Sequence, residues 1–305
     1  GKPGGRGISE PHRLPADRRE GADVIKYASG NANVKEVRSR PGQPGGQCGK
    51  RCHWVKPLES PYIPESSVTA MLVSHDMPEG MKSLLRELVP VIIPVMDMDS
   101  LPVPVRGHPD MQLLIPAEGV IVHAPALDPD TAACLRDLGY LLVPGEKQPG
   151  GSYPEDIPYN VAVVGRHAFL NTRHADPVVL DWLKKTGKTI SHVNQGYSKC
   201  SVCILSEEAI ITSDRGIYQA AIEKNIDALL IPPQKSISIP GYEYGFIGGS
   251  AGLVSRDRLA FCGDMDTLES AGQILSFLQK HGIMPVMLGP GNVLDLGSLI
   301  PLCTV

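Results

Sequence analysis

The sequence predicts an α/β fold in which five similar units form a ring, a five-bladed α/β propeller closed by the C-terminal strand. Three observations predict it. Short apolar strands come in pairs before each helical segment, and a third strand follows the helix, so that each unit has the order ββαβ. The first strands begin at residues 110, 160, 201, 245 and 298, with spacings of 50, 41, 44 and 53 residues. Finally, the first unit lacks its first strand, and the C-terminal segment contains a strand that belongs to none of the other units.

Helix signals place the elements of the second and third units. Asp128 and Asp176 are N-cap acceptors, each followed by a proline that suits the first helical turn, and Gly139 and Gly187 suit the positions after the last turn. The second unit is predicted as strands 110–115 and 119–123, helix 128–138 and strand 140–143. The third is predicted as strands 160–164 and 167–170, helix 176–187 and strand 188–193.

The remaining units follow the same order. The fourth is predicted as strands 201–205 and 209–213, helix 214–225 and strand 228–231; the fifth as strands 245–249 and 258–262, helix 267–281 and strand 285–288. The first unit has strand 68–73, helix 78–88 and strand 91–96, and the surplus strand 298–302 completes it. This pairing closes the ring and removes two exposed edges. A doubly wound sheet is the alternative, but its strands and helices alternate singly.

Composition divides the chain near residue 58. Residues 1–56 carry 12 Lys and Arg against 5 Asp and Glu, and they are rich in Gly without an apolar period. Such a segment buries too little surface to offset the entropy of ordering it. We predict a disordered, basic, Gly-rich leader over residues 1–58 and one domain over residues 59–305. Nucleic-acid binding by the leader is not favoured, because no aromatic residue for base stacking precedes Tyr27.

The sequence also indicates a location and the absence of metal chemistry. No apolar run approaches the roughly 20 residues of a membrane helix, and the leader lacks the apolar core of a signal peptide. With seven cysteines and no such signal, the cytoplasm is the expected compartment. Cys48, Cys52 and His53 could form a zinc site with Cys200 and Cys203, but the two groups are about 150 residues apart. We expect no metal and no cofactor.

Four short motifs carry a resemblance to a known fold. They are residues 108–112 (HPDMQ), 194–200 (NQGYSKC), 244–249 (YGFIGG) and 297–302 (GSLIPL). Together with the ββαβ units, they resemble an uncharacterised bacterial family with the pentein fold, the five-bladed α/β propeller of guanidino-group-modifying enzymes. The resemblance covers about residues 60–303 and excludes the leader.

The resemblance implies a chemistry based on a cysteine, a histidine and carboxylates. Arginine and agmatine deiminases, dimethylarginine hydrolases and amidinotransferases share the fold; a thiolate attacks the guanidinium carbon, histidine protonates the leaving amine and carboxylates hold the cation. His108 and Asp110 match the His-x-Asp pattern of these enzymes. Their nucleophile lies four residues before a proline near the C-terminus, but four residues before Pro301 this chain has Gly297. The nucleophile is therefore either absent or another cysteine.

The resemblance also implies that the first strands line a central channel, so residues at their starts converge. The catalytic candidates are His108, Asp110 and Cys200, with Lys199 expected to favour the Cys200 thiolate. A buried structural thiol is the alternative for Cys200, and a helix cap is the alternative for Asp264. The ligand-binding candidates are Asn160, Lys199, Ser201, Glu243, Asp264 and Ser298.

Two functions remain open from the sequence. The first is a hydrolase or transferase acting on a small guanidino-type substrate at the channel, which the retained polar residues favour. The second is a non-catalytic protein of this fold that binds a partner or small ligand, which the missing C-terminal cysteine favours. The expected partner is a small molecule, with no membrane, and the sequence does not indicate an oligomeric state.

Overall fold

The computed structural model describes residues 56–304. Most of the predicted leader, including Cys48, Cys52 and His53 of the zinc alternative, lies outside the described residues. The described part begins inside the predicted leader, where Lys56 and Pro57 pair with Thr304 and Cys303. None of the helices in this part combines the length and the apolar character that crossing a membrane requires.

The strands and helices follow the predicted order. The strands are β1 Lys56–Pro57, β2 Val68–Ser74, β3 Val91–Val95, β4 Leu113–Ala117, β5 Val120–His123, β6 Leu141–Pro144, β7 Ala162–Val164, β8 His167–Leu170, β9 Thr189–His192, β10 Val202–Ser206, β11 Ala209–Thr212, β12 Asp227–Leu230, β13 Ile237–Ser238, β14 Ala251–Ser255, β15 Arg258–Phe261, β16 Met284–Met287, β17 Val293–Leu294 and β18 Ile300–Thr304. The helices are α1 Glu79–Arg86, α2 Pro109–Gln112, α3 Pro129–Asp137, α4 Pro177–Lys185, α5 Ser198–Ser201, α6 Arg215–Ile222 and α7 Ala271–Lys280.

Within residues 56–304, four three-stranded sheets each have one antiparallel and one parallel pairing, the four-stranded sheet β1-β18-β2-β3 has two antiparallel pairings and one parallel pairing, and β13 and β17 form a separate parallel pair. The first two strands of the second to fifth units pair antiparallel, and the second and third strands pair parallel across a helix. Gly119 and Gly165 turn two of the hairpins with φ of 65° and 52°, a left-handed conformation that glycine adopts without a steric cost. The predicted ββαβ units are therefore present.

The C-terminal strand joins the first unit, as predicted. β18 pairs antiparallel with β2, with Ile300 opposite Leu72, and β2 pairs parallel with β3. The Leu302 carbonyl accepts a hydrogen bond from the Leu58 amide at 3.1 Å and another from the Tyr140 hydroxyl at 2.6 Å. The end of the chain is thereby bonded to the start of the domain and to the second unit.

Capping explains where the helices begin. The carboxylate of Asp128 accepts from the Thr131 amide, and that of Asp176 accepts from the Val178 amide, each at 2.8 Å. The Asp214 carboxylate caps α6 in the same way, by accepting from the Ile217 amide. The predicted N-caps of α3 and α4 are confirmed, because each side chain satisfies an amide that has no partner within its helix.

The predicted first strand of the fifth unit, residues 245–249, is wrong: the strand begins at Ala251. The glycines before it allow close contacts in place of strand pairing. A Cβ on Gly248 would collide with the Val202 carbonyl, and a Cβ on Gly249 would collide with the Asp295 carboxylate. The other first strands also begin later than predicted. Asp110 and Ser201 lie in the short helices α2 and α5, just before β4 and β10.

The core is made mainly of the first and second strands. β7, β8, β10 and β11 are buried along almost their whole length, whereas the outer strands β6, β9 and β16 are partly exposed. Phe169 and Phe261 are fully buried aromatic residues in two separate groups of the core. The first strands are therefore held most firmly, and so are the residues that precede them.

We expect Leu302→Ala to lower the free energy of unfolding by about 2–5 kcal/mol, because Leu302 is fully buried in β18 and truncation leaves a cavity. Leu141→Ala is the matched control. Leu141 is 46% exposed on the outer strand β6, so its truncation costs at most about 0.5 kcal/mol. Urea unfolding measures both. Equal losses would contradict the assignment of β18 to the core.

Candidate functional site

Asp110 lies at the centre of a buried polar cluster. Its Oδ2 is 2.7 Å from the Ser298 hydroxyl oxygen and accepts a hydrogen bond from the Cys200 thiol at 3.2 Å. Its Oδ1 has no hydrogen-bond partner among the described residues. The three residues come from the second unit, the fourth unit and the segment before β18, so distant parts of the sequence meet at one carboxyl group.

Asn160 connects the backbones around this group. Its amide nitrogen donates to the Asp110 carbonyl and to the Cys200 sulfur, each at 3.1 Å. Its amide oxygen accepts from the Lys199 backbone amide at 2.7 Å. A single buried side chain from the third unit therefore fixes α2 relative to α5.

Lys199 and Ser298 complete the cluster. The Lys199 ammonium donates to the Ser298 hydroxyl at 2.9 Å and lies 5.4 Å from the centre of the Tyr62 ring. The Ser298 oxygen is also 2.8 Å from the Gly248 carbonyl, so its one hydrogen goes either there or to Asp110. The cluster defined by Asp110, Asn160, Lys199, Cys200 and Ser298 is called the polar cluster below.

The hydrogen bonds of Lys199 and Cys200 do not support the expected activation of Cys200 by Lys199. The Lys199 ammonium points to Ser298, whereas the Cys200 sulfur faces the Asp110 carboxyl group. Burial, with Asp110 next in effect, raises the pKa of the Cys200 thiol well above its usual range. Burial also raises the pKa of Asp110, although His108 and Lys199 oppose the shift. At rest, Cys200 is therefore a protonated thiol.

His108 faces a second buried carboxylate, Asp295. The His108 Nδ1 is 3.9 Å from the nearer Asp295 oxygen and has no hydrogen-bond partner in the described part of the chain. Burial lowers the pKa of His108, so the ring is neutral near pH 7. Asp295 accepts from the amides of Phe246 and Gly297 at 2.8 and 3.2 Å, and burial raises its pKa to about 6.

Asp295 is not among the site residues that the sequence predicts. It lies two residues before the 297–302 motif, outside any of the aligned strand starts. The usable signal is the run of glycines at Gly245 and Gly249, where a Cβ would collide with Asp295. A glycine required by close packing against a buried carboxylate marks that carboxylate as fixed in position.

His108, Cys200 and Asp295 line one cavity of about 280 Å³, which is called the aromatic cavity here. Tyr197, Tyr242, Tyr244 and Phe246 form much of its wall. The rings of Tyr197 and Phe246 are 6.1 Å apart, and Tyr244 meets Phe246 edge-on at 6.3 Å. A thiol, a neutral imidazole, a buried carboxylate and several aromatic faces thus converge on one space.

Three of the predicted ligand-binding residues lie apart from the polar cluster. Glu243 lines the aromatic cavity, but its side chain is 70% exposed and pairs with Lys235 at 3.0 Å. Asp264 caps a 3₁₀ turn by accepting from the Asp266 amide, which is the alternative that the sequence left open. Ser201 is buried beside Cys200, with no hydrogen bond from its hydroxyl among the described residues.

Two other places in the described chain could suggest a ligand. His75, Asp76 and Asp97 bring donor atoms within 4.8 Å of one another, but Asp97 already pairs with His75 and with Arg106, each at 2.5 Å. The group is therefore an ion-pair cluster. A larger cavity of about 720 Å³ is lined at the hairpin turns by acidic and basic residues together, and no predicted site residue lines it.

Comparison with known structures supports the coarser part of the predicted fold class, an α/β fold with mixed sheets. The inosamine-phosphate amidinotransferase StrB1 from Streptomyces griseus is similar with a TM-score of 0.50 and 12% identity, over 81% of this chain and 97% of that chain. The SxtG amidinotransferase of the saxitoxin biosynthetic pathway from Microseira wollei is similar with a TM-score of 0.45 and 15% identity, over 75% of this chain and 90% of that chain. DDAH from Pseudomonas aeruginosa is similar with a TM-score of 0.44 and 10% identity, over 72% of this chain and 92% of that chain.

At such identities the likeness concerns the fold alone, and the chain has a pentein-type α/β fold with mixed sheets. Its family can be stated as well. The model of the Family of unknown function (DUF6873) matches residues 72–300, and the chain belongs to this family. No curated protein matches the chain.

We expect Asn160→Ala to lower the free energy of unfolding by about 1–3 kcal/mol, because it leaves buried groups of the polar cluster without partners. Asn194→Ala is the control, since Asn194 is exposed and its loss costs at most about 0.5 kcal/mol. Thermal and urea unfolding measure the difference. An Asn160→Ala variant with an unchanged free energy of unfolding would show that the cluster does not hold the units together.

Proposed function

We propose that the aromatic cavity binds a small guanidino-type cation and that the protein acts on it as a hydrolase or transferase, with Cys200 as the nucleophile. One observation carries the proposal: a thiol, an imidazole and a buried carboxylate line the same cavity. These are the groups needed to attack an electron-poor carbon, move a proton and hold a cation. The family itself has no established activity.

Charge and shape support the binding step. Asp295 is buried and has the neutral His108 ring 3.9 Å from it. The Lys199 ammonium also acts on Asp295 but bonds to Ser298, so a ligand cation would be the group that pairs directly with the Asp295 carboxylate. A guanidinium group presents a planar fork to a carboxylate, and its flat face suits aromatic rings such as Tyr197 and Phe246.

In the covalent step, one bond forms, one bond breaks and one proton is transferred. The Cys200 sulfur forms a bond to the guanidinium carbon, and the bond from that carbon to the leaving nitrogen breaks. The thiol proton passes to that nitrogen, and neutral His108 is the cavity group that can accept and return it. An amine leaves, and an amidino group with its positive charge stays on the sulfur. Water releases the group as a urea, and an amine releases it as a new guanidine.

A second candidate is a non-catalytic protein that binds the same cation or a partner at this cavity. The observation in its favour is the resting state of Cys200, a buried thiol with a raised pKa that donates to Asp110. In addition, Gly297 and Ser298 stand where the fold relatives suggested a cysteine. The two candidates share the binding step and differ in whether Cys200 reacts.

The proposal includes the arrangement of the units. Five ββαβ units around one axis, closed by β18, would place their central residues together. The β18–β2 pairing and the meeting of four segments at the polar cluster support this. The boundary of the leader at residue 58 and a cytoplasmic location stay predictions from the sequence.

We expect chloroacetamidine, a cationic alkylating probe, to label Cys200 faster than chloroacetamide, which has the same size without the charge. The reason is that Asp295 holds the cationic probe beside the sulfur. Mass spectrometry of peptides locates the label. His108→Gln should slow labelling about a hundredfold, the lower end of the range for loss of a proton-transfer group.

Cys203→Ser is the matched control, because Cys203 is buried on β10 and does not line the aromatic cavity. It should leave labelling unchanged. Absence of any label on Cys200 would reject the proposal that the protein is an enzyme with Cys200 as its nucleophile. If agmatine or arginine still raised the melting temperature in that case, the non-catalytic candidate would stand; no shift with either would reject the cation site as well.

We expect agmatine affinity to increase about tenfold between pH 5 and pH 7, with a midpoint near 6, because Asp295 becomes ionised with a pKa of about 6. Folding stability changes in the opposite direction. The folded state holds a proton on Asp295 that the unfolded state has lost above about pH 4, so stability falls as the pH rises towards 6. Calorimetry at several pH values measures affinity; a flat profile would exclude Asp295 as the cation ligand.

A further inference from the structure

The peptide bond between Gly297 and Ser298 lies in a strained part of the backbone. Both residues have a positive φ, of 72° and 77°. Glycine adopts this left-handed conformation freely, but a residue with a side chain adopts it only at a cost in free energy. Ser298 is fully buried, so its surroundings hold it in that conformation. Strain of this kind clusters at places where the backbone or its neighbours take part in chemistry.

Covalent connectivity keeps the Ser298 hydroxyl close to the carbonyl carbon before it. Only the Cβ, Cα and backbone nitrogen atoms of Ser298 separate its Oγ from the Gly297 carbonyl carbon. Attack of Oγ on that carbon therefore closes a ring within the chain itself and needs no bound substrate. Burial of Ser298 does not prevent such a reaction, whereas it would keep out a large substrate.

Asp110 and Lys199 supply the groups that activate this hydroxyl. The Ser298 oxygen is 2.7 Å from Asp110 Oδ2 and accepts a hydrogen bond from the Lys199 ammonium at 2.9 Å. A carboxylate beside a hydroxyl takes its proton as a general base. The positive charge of Lys199 favours the negative oxygen that remains. Both groups are buried, and dissolved ions screen buried charges much less than exposed ones.

The carbonyl and the amide of the same peptide bond are held as well. The Gly297 carbonyl accepts from the Asp110 backbone amide at 3.3 Å, and the Ser298 amide donates to the Gly249 carbonyl at 2.7 Å. A donor at the carbonyl oxygen stabilises the negative charge that develops there during attack. Asp110 thus contacts the nucleophile with its side chain and the carbonyl under attack with its backbone.

We propose that the Gly297–Ser298 bond is a self-processing site, at which the peptide bond rearranges to an ester that a small nucleophile then cuts. One strained peptide unit here contacts a carboxylate, an ammonium and an amide donor, and its own serine carries the hydroxyl nucleophile. This activity is separate from the proposed function, because it requires neither Cys200 as a nucleophile nor a ligand cation.

In the first step, Ser298 Oγ forms a bond to the Gly297 carbonyl carbon, and the bond from that carbon to the Ser298 nitrogen breaks. The hydroxyl proton passes to Asp110 and returns to the departing nitrogen. The products are an ester on Oγ and a free amino group on Ser298, so the step is an isomerisation that consumes no other reagent. The strained φ angle of Ser298 disappears with the broken bond, which favours the ester.

In the second step, a small nucleophile such as water forms a bond to the Gly297 carbonyl carbon, and the ester bond to Ser298 Oγ breaks. The proton that the nucleophile gives up restores the hydroxyl. Asp295 and Leu296 precede the bond and line a cavity of about 600 Å³, which offers such a molecule a space beside this segment. Gly297 then ends one fragment, and Ser298 begins the other.

The cut would leave the C-terminal fragment bound to the folded protein. β18 stays paired with β2, and the Leu302 carbonyl stays bonded to the Leu58 amide and to the Tyr140 hydroxyl. The two fragments would therefore separate only when the protein is denatured.

Hydroxylamine at neutral pH is the probe, because it cuts esters and leaves ordinary peptide bonds intact. The chain has no Asn-Gly pair, at which hydroxylamine can also cut. Treatment of the folded full chain should give residues 1–297 with a hydroxamate on Gly297, and residues 298–305 with a free amino group on Ser298. Mass spectrometry under denaturing conditions identifies both fragments, and circular dichroism shows whether each protein is folded.

Ser298→Ala removes the nucleophile and should abolish the cut, whereas Ser298→Cys should retain it through a thioester. Lys199→Met should slow the cut about a hundredfold, the lower end of the range for loss of an electrostatic group. Ser250→Ala is the matched control, because Ser250 is fully buried nearby in the sequence and its hydroxyl bonds to the Ile247 carbonyl at 2.9 Å. It should leave the cut unchanged.

A folded wild-type chain that stays whole in hydroxylamine would overturn the inference, as would a cut after Gly297 that persists in Ser298→Ala. An equal rate for the wild-type chain unfolded in urea would also overturn it, because the rearrangement needs the contacts of the folded state. If Ser298→Ala does not fold, Lys199→Met decides instead: a rate equal to that of the wild type would overturn the inference.

Discussion

The hydrogen bond between Ser298 and Asp110 is the interaction on which the rest of the structure depends. It joins residues 188 positions apart in the sequence and lies in a fully buried environment. A carboxyl group in such a place is costly unless its neighbours bond to it, so Ser298 and Cys200 must both be in position at Oδ2, while Asn160 holds the Asp110 backbone carbonyl. The polar cluster thus favours one packing arrangement of the segments that carry it. That arrangement also fixes the positions of the residues that line the neighbouring cavities.

Close packing of glycines extends the same constraint to the cavity. Gly297 has φ of 72°, and a Cβ there would collide with His108. Gly249 leaves room for Asp295 in the same way. His108 and Asp295 are therefore packed against backbone that admits no side chain. The proposed cation site would require such fixed positions for its carboxylate and imidazole.

Local sequence signals predicted the units well, because each of them has a physical cause within a few residues. Asp-Pro pairs began the helices, and paired apolar runs gave the hairpins. The predictions failed at positions where tertiary contacts determine the local structure or the hydrogen-bond partner. The 245–249 segment has the composition of a strand but packs as a glycine turn against Asp295. All five residues of the polar cluster were found through the aligned strand starts and their neighbours, whereas Asp295 was missed and Lys199 bonds to Ser298 instead of acting on Cys200.

The bond from Cys200 to Asp110 has a consequence for the tolerance of oxidants. Peroxide reacts with thiolates, and a cysteine nucleophile kept ionised at rest is exposed to conversion into sulfenic and then sulfinic acid. Here the sulfur is protonated, buried and turned towards a carboxyl group. If Cys200 acts as proposed, its protonated and buried form would make the thiol slow to react with peroxide.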